Sequence, residues 1–234
     1  SHTGPVLSAV TSRELIDSDR AADVVIKQVI MDYLAPEVRK NLHSLFHSSP
    51  EARKLVFQTE LELVTQHQKR KQFITKMLSK TTKNTLVLFF NRAYGKELKD
   101  MLRDYTSDKE IMYIDGKVQK DTREEIRNRM KTGTNKVLFA SIQIFSTGIS
   151  IKNLHNIFLV QSFKSDVIVR QLIGRLMRLH ESKEFATVVD LVDDFSYIDS
   201  DGEKWDNYML KHGRERRDIY TQQEFEFDIK HIKF

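Results

Sequence analysis

Short runs of apolar residues recur along the chain and alternate with stretches of helical periodicity. The runs are nearly continuous in apolar residues, as are strands of a parallel sheet that is buried on both faces. Amphipathic helices are predicted between them, over Tyr94–Asp104 and Asp121–Lys131. The alternation predicts a doubly wound α/β fold with a mainly parallel sheet. The strand-like runs are Leu86–Phe90, Ile111–Ile114, Lys136–Ala140, Asn156–Val160 and Ala186–Val192.

Further elements are predicted on both sides of this core. Val24–Met31 is strand-like, and Glu51–Lys80 carries apolar residues at the spacing of two helices, with Thr65 available to cap the second. A helix is predicted from about Trp205 to Gln222, and an alternating strand over Phe225–Lys230. These two elements form a helix-strand extension after the core.

Composition narrows the class of protein without identifying it. The 234 residues are 40% hydrophobic and include 14 Phe, which favours a folded chain. The net charge of +5 suggests a polyanionic partner without establishing one. The sequence has no cysteine, which excludes disulfides, a thiolate metal site and a cysteine nucleophile. No apolar run approaches the roughly 20 residues of a membrane span, so we expect a cytoplasmic protein with no membrane partner.

The segment Gln171–Arg178 carries the most informative chemistry. On a helix, which advances about 100° per residue, Gln171, Arg175 and Arg178 fall on one arc while apolar residues face the other way. Two guanidinium groups beside an amide suit a phosphoryl group whose charge redistributes during transfer. Gly174 lies on the same arc and leaves room for close approach. From these residues alone, a helix with salt-bridged surface arginines remains the alternative.

Four blocks in order resemble the motifs of the second motor domain of superfamily 2 helicases. Gln-x-x-Gly-Arg-x-x-Arg at 171–178 resembles motif VI, and residues 137–151 resemble motif V. Leu86–Arg92 resembles motif IV, and Ile114–Gly116 occupies the next block that contacts nucleic acid. The resemblance implies a RecA-like helicase C-terminal domain within the predicted α/β class.

Three longer stretches bring the resemblance closer, to phage helicases that act in recombination and fork remodelling. They are Phe-Ser-Thr-Gly-Ile-Ser-Ile-Lys-Asn-Leu-His at 145–155, Val-Asp-Leu-Val-Asp-Asp at 189–194 and Tyr-Met-Leu-Lys-His-Gly at 208–213. The resemblance runs from about Thr11 to the end of the sequence. For a phage-encoded protein, the cytoplasm would be that of the host.

The resemblance implies which residues face the nucleotide. In this family, the two motif VI arginines reach the γ-phosphate of an ATP that the first motor domain mainly holds, so Arg175 and Arg178 are expected to be arginine fingers. Gln171 would orient the phosphate or the attacking water. Many relatives have Asp where this chain has Ser150, which puts a carboxylate contact to the ribose in doubt. The catalytic candidates are Arg175, Arg178 and Gln171, and the cofactor-binding candidates are Gly148, Ser150 and Gly174.

The resemblance also implies a set of nucleic-acid contacts. Motif V couples nucleotide to strand in this family, so Ser141 would lie near a DNA phosphate and Thr147 close by. For Arg92, Gly116 and Arg123, contact with nucleic acid and a structural role are equally supported. The alternatives for these three are a surface arginine, a turn glycine and a helix charge pair.

The sequence lacks a phosphate loop of the Gly-x-x-x-x-Gly-Lys-Ser/Thr type. Gly133–Lys136 precedes a strand and is interpreted as a turn. Val188–Asp194 resembles a strand with an acidic end, but without a phosphate loop we expect no magnesium ligation by Asp193 or Asp194, and no metal site. The chain is therefore interpreted as one of the two domains of a motor protein, and ATP with Mg²⁺ is expected to be used only by the full-length protein. This chain alone is expected to bind no cofactor tightly and to hydrolyse ATP negligibly.

Several other features have two open interpretations. His43 and His47 have helical spacing, but two ligands without a third are a weak zinc signal, and a surface or capping role is preferred. Lys69–Lys71 and Arg214–Arg217 could contact DNA or form solvated helix faces. Trp205 is expected to dock on the sheet.

We interpret the chain as three segments. Residues 1–35 are a leading segment or linker from a first motor domain, 36–198 are the second motor domain, and 199–234 are the extension. The expected function is an ATP-dependent DNA helicase or translocase in recombination, branch migration and fork repair, with branched or single-stranded DNA and the first motor domain as partners. The alternatives are an ATP-independent nucleic-acid-binding or annealing module and an RNA-directed superfamily 2 translocase.

Overall fold

Seven parallel strands form the central sheet of this protein, which is known here from a computed structural model describing residues 24–146, 151, 153–163, 168–172 and 186–234. The spatial order is β3-β4-β2-β5-β6-β1-β9, and every neighbouring pair is parallel. Two short strands, β7 and β8, form a separate antiparallel hairpin. The strands are β1 Val24–Asp32, β2 Thr85–Phe89, β3 Glu110–Ile114, β4 Lys136–Ser141, β5 Asn156–Leu159, β6 Ala186–Asp193, β7 Tyr197–Ile198, β8 Lys204–Trp205 and β9 Glu226–Lys233.

Helices cover both faces of the sheet. The helices with defined bounds are α1 Pro36–Ser48, α2 Pro50–Gln66, α3 Gln68–Ser79, α4 Arg92–Tyr105, α5 Lys120–Met130, α6 Ile142–Ser146 and α7 Tyr208–Gln222, and residues 168–172 are also helical. Successive strand residues point to opposite faces, so Val87 and Phe89 pack in one core with α1 to α4, while Leu86 and Leu88 pack in the other with α5. The predicted doubly wound α/β fold is confirmed, with a sheet that is parallel throughout its described strands.

The structure corrects two predicted helix boundaries. Thr65 does not cap a helix, because its hydroxyl donates within α2 to the carbonyl of Leu61 at 3.0 Å. The cap of α3 is His67, whose Nδ1 accepts from the backbone amide of Arg70 at 3.3 Å. Trp205 belongs to β8 rather than to the following helix, which begins at Tyr208.

The sheet joins all three of the predicted segments. β1 comes from residues 1–35 and lies between β6 and β9, and β9 comes from residues 199–234. The boundaries at residues 35 and 198 stay a prediction, because strands on both sides of each boundary belong to the same sheet. Each flanking segment nevertheless supplies backbone hydrogen bonds to the core.

A buried carboxylate ties the extension to the core. The side chain of Glu60 in α2 has no exposed surface. Its oxygens accept hydrogen bonds from the backbone amides of Tyr208 and Met209, both at 2.9 Å, and from Asn207 Nδ2 at 3.0 Å. These groups stand at the positive N-terminal end of α7. Burial raises the pKa of Glu60, although the three hydrogen bonds act in the opposite direction.

Close packing between α7 and β6 yields a stability prediction. A Cβ on Gly213 would lie 2.6 Å from Val192 Cγ1 and 2.7 Å from Cγ2. We expect Gly213→Ala to lower the free energy of unfolding by about 1–3 kcal/mol, because overpacking outweighs the helix propensity of alanine. Urea unfolding measures the change, with the exposed Asp218→Ala in the same helix as control. Adding Val192→Ala should recover part of the loss, and a Gly213→Ala variant as stable as the parent would contradict the close contact.

Candidate nucleic-acid and nucleotide interface

The carboxyl ends of three neighbouring strands bring together residues that are far apart in the sequence. Arg92 follows β2 as the first residue of α4, Gly116 follows β3, and Ser141 is the last residue of β4. In open α/β sheets, ligands bind outside this edge of the sheet. The structure thus places three of the predicted nucleic-acid residues on one edge, while Thr147 lies outside the described residues.

A buried amide fixes the loop that leads to Arg92. Gln161, which follows β5, accepts hydrogen bonds on Oε1 from the backbone amides of Phe90 at 2.7 Å and Asn91 at 2.9 Å. Asn91 in turn caps α4, because its Oδ1 accepts from the amide of Tyr94 at 3.0 Å. Sequence reasoning missed Gln161, since a single glutamine after a strand carries no local signal of this partnership.

Arg92 lies against the loop after β3. Its Nε is 3.6 Å from Asp115 Oδ2, and its side chain is 43% exposed. A Cβ on Gly116 would stand 3.3 Å from Arg92 Nη2, so a side chain there would crowd the guanidinium. Asp115 therefore holds Arg92 at the edge of the sheet while part of the guanidinium still faces solvent. Such a group can contact a phosphate.

The electrostatics of this loop keep Asp115 charged. Burial opposes its ionisation, but hydrogen bonds from the Lys117 amide at 2.8 Å and the Tyr113 hydroxyl at 3.0 Å, with the charge of Arg92, bring its pKa below the ordinary value. Burial raises the pKa of Tyr113, and its bond to Asp115 acts in the same direction. The hydroxyl therefore stays protonated and continues to donate to Asp115.

Arg123 supports the same loop from α5. Its Nε donates to the carbonyl of Val118 at 2.8 Å, and its Nη2 donates to the carbonyl of Gly116 at 3.2 Å. The predicted alternative of a helix charge pair is not what the structure shows, because both partners are backbone carbonyls. Contact between Arg123 and nucleic acid stays a prediction, and its geometry suits a loop brace.

Ser141 is fully buried at the end of β4. Its side chain has no exposed surface, and among the described residues its Oγ has no hydrogen-bond partner. A buried hydroxyl without a partner is uncommon in folded proteins. Contact with a DNA phosphate stays a prediction, and it would require the neighbouring backbone to move.

Residues 168–172, which reach the first two residues of the segment that resembles motif VI, are helical and have one buried and one exposed face. Over 168–172, Val169 and Leu172 are buried in the core, whereas Gln171 is exposed. Arg170 donates through Nη2 to Gln222 Oε1 of α7 at 2.7 Å. The other predicted nucleotide residues, Gly148, Ser150, Gly174, Arg175 and Arg178, lie outside the described residues.

The basic run at 69–71 does not form a solvated face. Arg70 has no exposed surface and Lys71 is almost fully buried, so only Lys69 of the three reaches solvent. Arg70 pairs with Asp193 through Nε at 2.6 Å and Nη2 at 3.0 Å, and it donates to the carbonyl of Val160 at 2.9 Å. Asp193 is therefore the buried partner of an arginine, and DNA contact by Arg70 or Lys71 is excluded in this fold.

The second basic run is also divided by burial. Arg216 is 1% exposed, and its guanidinium holds Asp190 and the carbonyl of Phe163, with the Nη1 bond to Phe163 at 2.9 Å. Arg217 donates to Gln28 Oε1, and the exposed Arg214 pairs with Asp206. The prediction that Arg216 contacts DNA is therefore wrong. The sequence of a single amphipathic helix does not show which of its arginines will pair with a buried carboxylate elsewhere in the fold.

His43 and His47 lie in an aromatic cluster. Their ring centroids are 4.5 Å apart, and His43 also contacts Tyr197 and Trp205, whose side chain is buried. Within the part of the chain that the structure describes, no group of three potential His, Asp or Glu ligands could hold a metal ion. Within the same ranges, no helix combines the length and apolarity needed to cross a bilayer.

Comparison with known proteins finds helicases. Residues 68–180 match the family model of the helicase conserved C-terminal domain. The ATP-dependent DNA helicase UvsW of Enterobacteria phage T4 is 30% identical over 237 residues, covering 98% of this chain and 45% of UvsW. The chain thus spans less than half the length of this relative.

Solved structures give the same fold. The crystal structure of T4 UvsW matches with a TM-score of 0.72 and 29% identity, over 91% of this chain and 42% of that one. The C-terminal domain of the DEAD-box protein Dbp5 matches with a TM-score of 0.54 at 12% identity, over 89% of this chain and 90% of that one, which supports the fold alone. The fold is that of a RecA-like helicase C-terminal domain.

Proposed function

This chain carries a helicase C-terminal domain related to that of UvsW, and from this premise we propose that it is the second motor domain of an ATP-dependent DNA helicase or translocase. Its proposed role is in recombination, branch migration and fork repair. The observation that carries the proposal is the convergence of Arg92, Asp115 and Gly116 at the carboxyl edge of the sheet. That edge also receives the loop held by Gln161.

In this proposal, the motif VI helix faces the nucleotide. The polar side chains of the segment 171–178 are one amide and two guanidinium groups, and the segment contains no carboxylate. Such a set fits the phosphates of ATP rather than its magnesium ion. ATP supplies the phosphoryl group that is transferred, and Mg²⁺ neutralises part of its charge. Arg175 and Arg178 would stabilise developing charge, and the exposed Gln171 would orient a phosphate or a water.

In the same proposal, the loops after β2 and β3 form part of the nucleic-acid track. Arg92 offers a partly exposed cation that Asp115 orients, and Arg123 braces the Gly116 backbone. Phosphate contacts fix the register of a protein on its strand without reading sequence. A motor that steps along DNA needs contacts of this kind.

The nucleic-acid track predicts a charge-specific loss of binding. We expect Arg92→Ala to weaken binding of DNA and to reduce the slope of log affinity against log salt by about one, because one phosphate contact is lost. Arg129→Ala is the matched control, since Arg129 is similarly exposed but pairs with Glu110 at the start of β3, on the opposite edge. Fluorescence anisotropy over a salt series measures both. Equal effects of the two substitutions would contradict the proposed track.

The nucleotide role is tested by ATP hydrolysis with and without DNA. We expect negligible turnover from this chain alone and DNA-stimulated turnover when a first motor domain with a phosphate loop is joined to it, because this sequence has no phosphate loop. Robust turnover by the chain alone would mean that it contains a complete nucleotide site. Strand annealing without ATP would favour the alternative of an annealing module.

The type of nucleic acid is a separate measurement. We expect tighter binding to branched or single-stranded DNA than to RNA of equal length, at a stated salt concentration. Preferential binding of RNA would favour the RNA-directed translocase.

A further inference from the structure

A groove lined by lysine and phenylalanine lies on the β9 side of the sheet, away from the loops described above. It encloses about 660 Å³ between α3 and the end of β9. The side chains that line it include three lysines and no carboxylate. The residues that line it are Lys69, Gln72, Phe73, Lys76, Ile232, Lys233 and Phe234.

One wall of the groove is a regular stripe on α3. Lys69, Phe73 and Lys76 are spaced by four and three residues, so they lie on the same face of the helix. The two lysines are separated by about 10 Å along the helix axis, with the aromatic ring between them. Both lysines are exposed and Phe73 is half-buried. The stripe therefore presents an alternation of charge, ring and charge.

The opposite wall comes from the end of β9. Phe234 stacks on Phe73 with ring centroids 5.3 Å apart and an interplanar angle of 25°, and it also stacks on Tyr33. Lys233 is 84% exposed and stands 3.9 Å from Asp32 Oδ2. A pair this exposed is weak and screened by salt, so Lys233 can still contribute its charge to the groove.

We propose that this groove binds single-stranded nucleic acid, with the lysines on backbone phosphates and bases stacked against the phenylalanine rings. A cationic groove with interspersed aromatic rings is the recognition mode of proteins that hold single strands without sequence preference. None of the side chains that line the groove is a carboxylate, so the three lysines make the groove complementary to a polyanion. The proposal rests on the proposed function and adds a second contact site to it.

The groove is distinct from the Arg92 loop. Four strand-to-strand steps separate β2 from β9 in the sheet, which is about 19 Å at the usual strand spacing. One phosphate cannot serve both sites. Substitutions at the two sites can therefore be tested separately. A nucleic-acid strand that contacts both sites would lose affinity when either site is substituted.

The test measures binding of a fluorescein-labelled oligothymidylate of about ten nucleotides. Replacing Lys69 and Lys76 together by Gln should lower the salt slope by about 1.4, because each phosphate contact on a single strand contributes about 0.7. Lys40→Gln with Lys54→Gln, at exposed lysines outside the groove, should leave the slope unchanged. Phe73→Leu keeps an apolar side chain and should weaken binding by about tenfold. It should leave binding of an abasic oligonucleotide of equal length unchanged, because no base can stack.

Each outcome decides the proposal. Equal binding by the groove variant and its lysine control would overturn it, and so would an equal loss for oligothymidylate and the abasic strand with Phe73→Leu. If oligothymidylate fails to bind but a fluorescein-labelled acidic peptide binds, and the groove variant weakens binding of that peptide, the groove would be assigned to a protein ligand instead. If Arg92→Ala weakens binding and the groove variants do not, the groove proposal is rejected and the proposed function is retained. If only the groove variants weaken binding, the Arg92 track is rejected and the groove proposal is retained.

Discussion

Replacing Arg178 with alanine is expected to abolish ATP turnover while leaving nucleic-acid binding nearly unchanged. Removal of an arginine finger typically lowers the rate by about 10³–10⁵-fold, because the finger stabilises charge that develops only during phosphoryl transfer. Steady-state hydrolysis by a protein that contains both motor domains measures the effect. DNA affinity measured at the same salt concentration separates catalysis from binding.

Two comparisons make the Arg178 result specific. Arg178→Lys keeps the charge but loses the planar fork of donors, so it should recover little of the rate. Arg170→Ala alters a neighbouring arginine whose Nη2 contacts Gln222, and it should reduce turnover far less. Retained turnover in Arg178→Ala would refute the assignment of this residue as a finger.

Replacing Arg70 with methionine is expected to lower the free energy of unfolding by about 3–5 kcal/mol. The substitution leaves the Asp193 carboxylate fully buried without its cation, and an uncompensated buried charge is strongly destabilising. The hydroxyl of Tyr33, which donates to Asp193 Oδ1 at 2.7 Å, cannot replace the guanidinium charge. Urea unfolding followed by circular dichroism gives the free energy.

The neighbouring residues supply the controls for Arg70. Lys69→Met removes an exposed charge one position away and should change the stability by less than about 0.5 kcal/mol. Adding Asp193→Asn to Arg70→Met should restore part of the lost stability, since it removes the buried charge. If Arg70→Met is no less stable than Lys69→Met, the Arg70–Asp193 pair is not the energetic link between α3 and β6.

The repeating apolar runs were enough to predict the sheet. Each of the five core runs is a strand in the structure, because a run that is apolar at nearly every position is stable only where both faces of the strand are covered. Helix boundaries were less predictable. His67 rather than Thr65 caps α3 because capping depends on which side chain stands at the helix start, and that position follows from packing.

The candidate site was predictable where motifs carried it. Arg92, Gly116 and Ser141 were singled out from the resemblance to helicase motifs, and the parallel sheet brings their strand ends together. Gln161 could not be found in this way, and neither could the pairing of Asp115 with Arg92, since the partners lie at distant positions in the sequence. The exposed or buried state of Ser141 likewise depends on neighbours that no local pattern reveals.

The basic runs at 69–71 and 214–217 show which properties the sequence determines and which the tertiary structure determines. The sequence by itself determined the α/β class, the order of the helicase-like blocks and the number of charges in each run. Only the tertiary structure decided that Arg70 and Arg216 are buried partners of Asp193 and Asp190, whereas Lys69 remains exposed in a groove. The physical reason is that a buried charge needs a specific partner, either an opposite charge or a set of hydrogen-bond donors, and the fold supplies that partner.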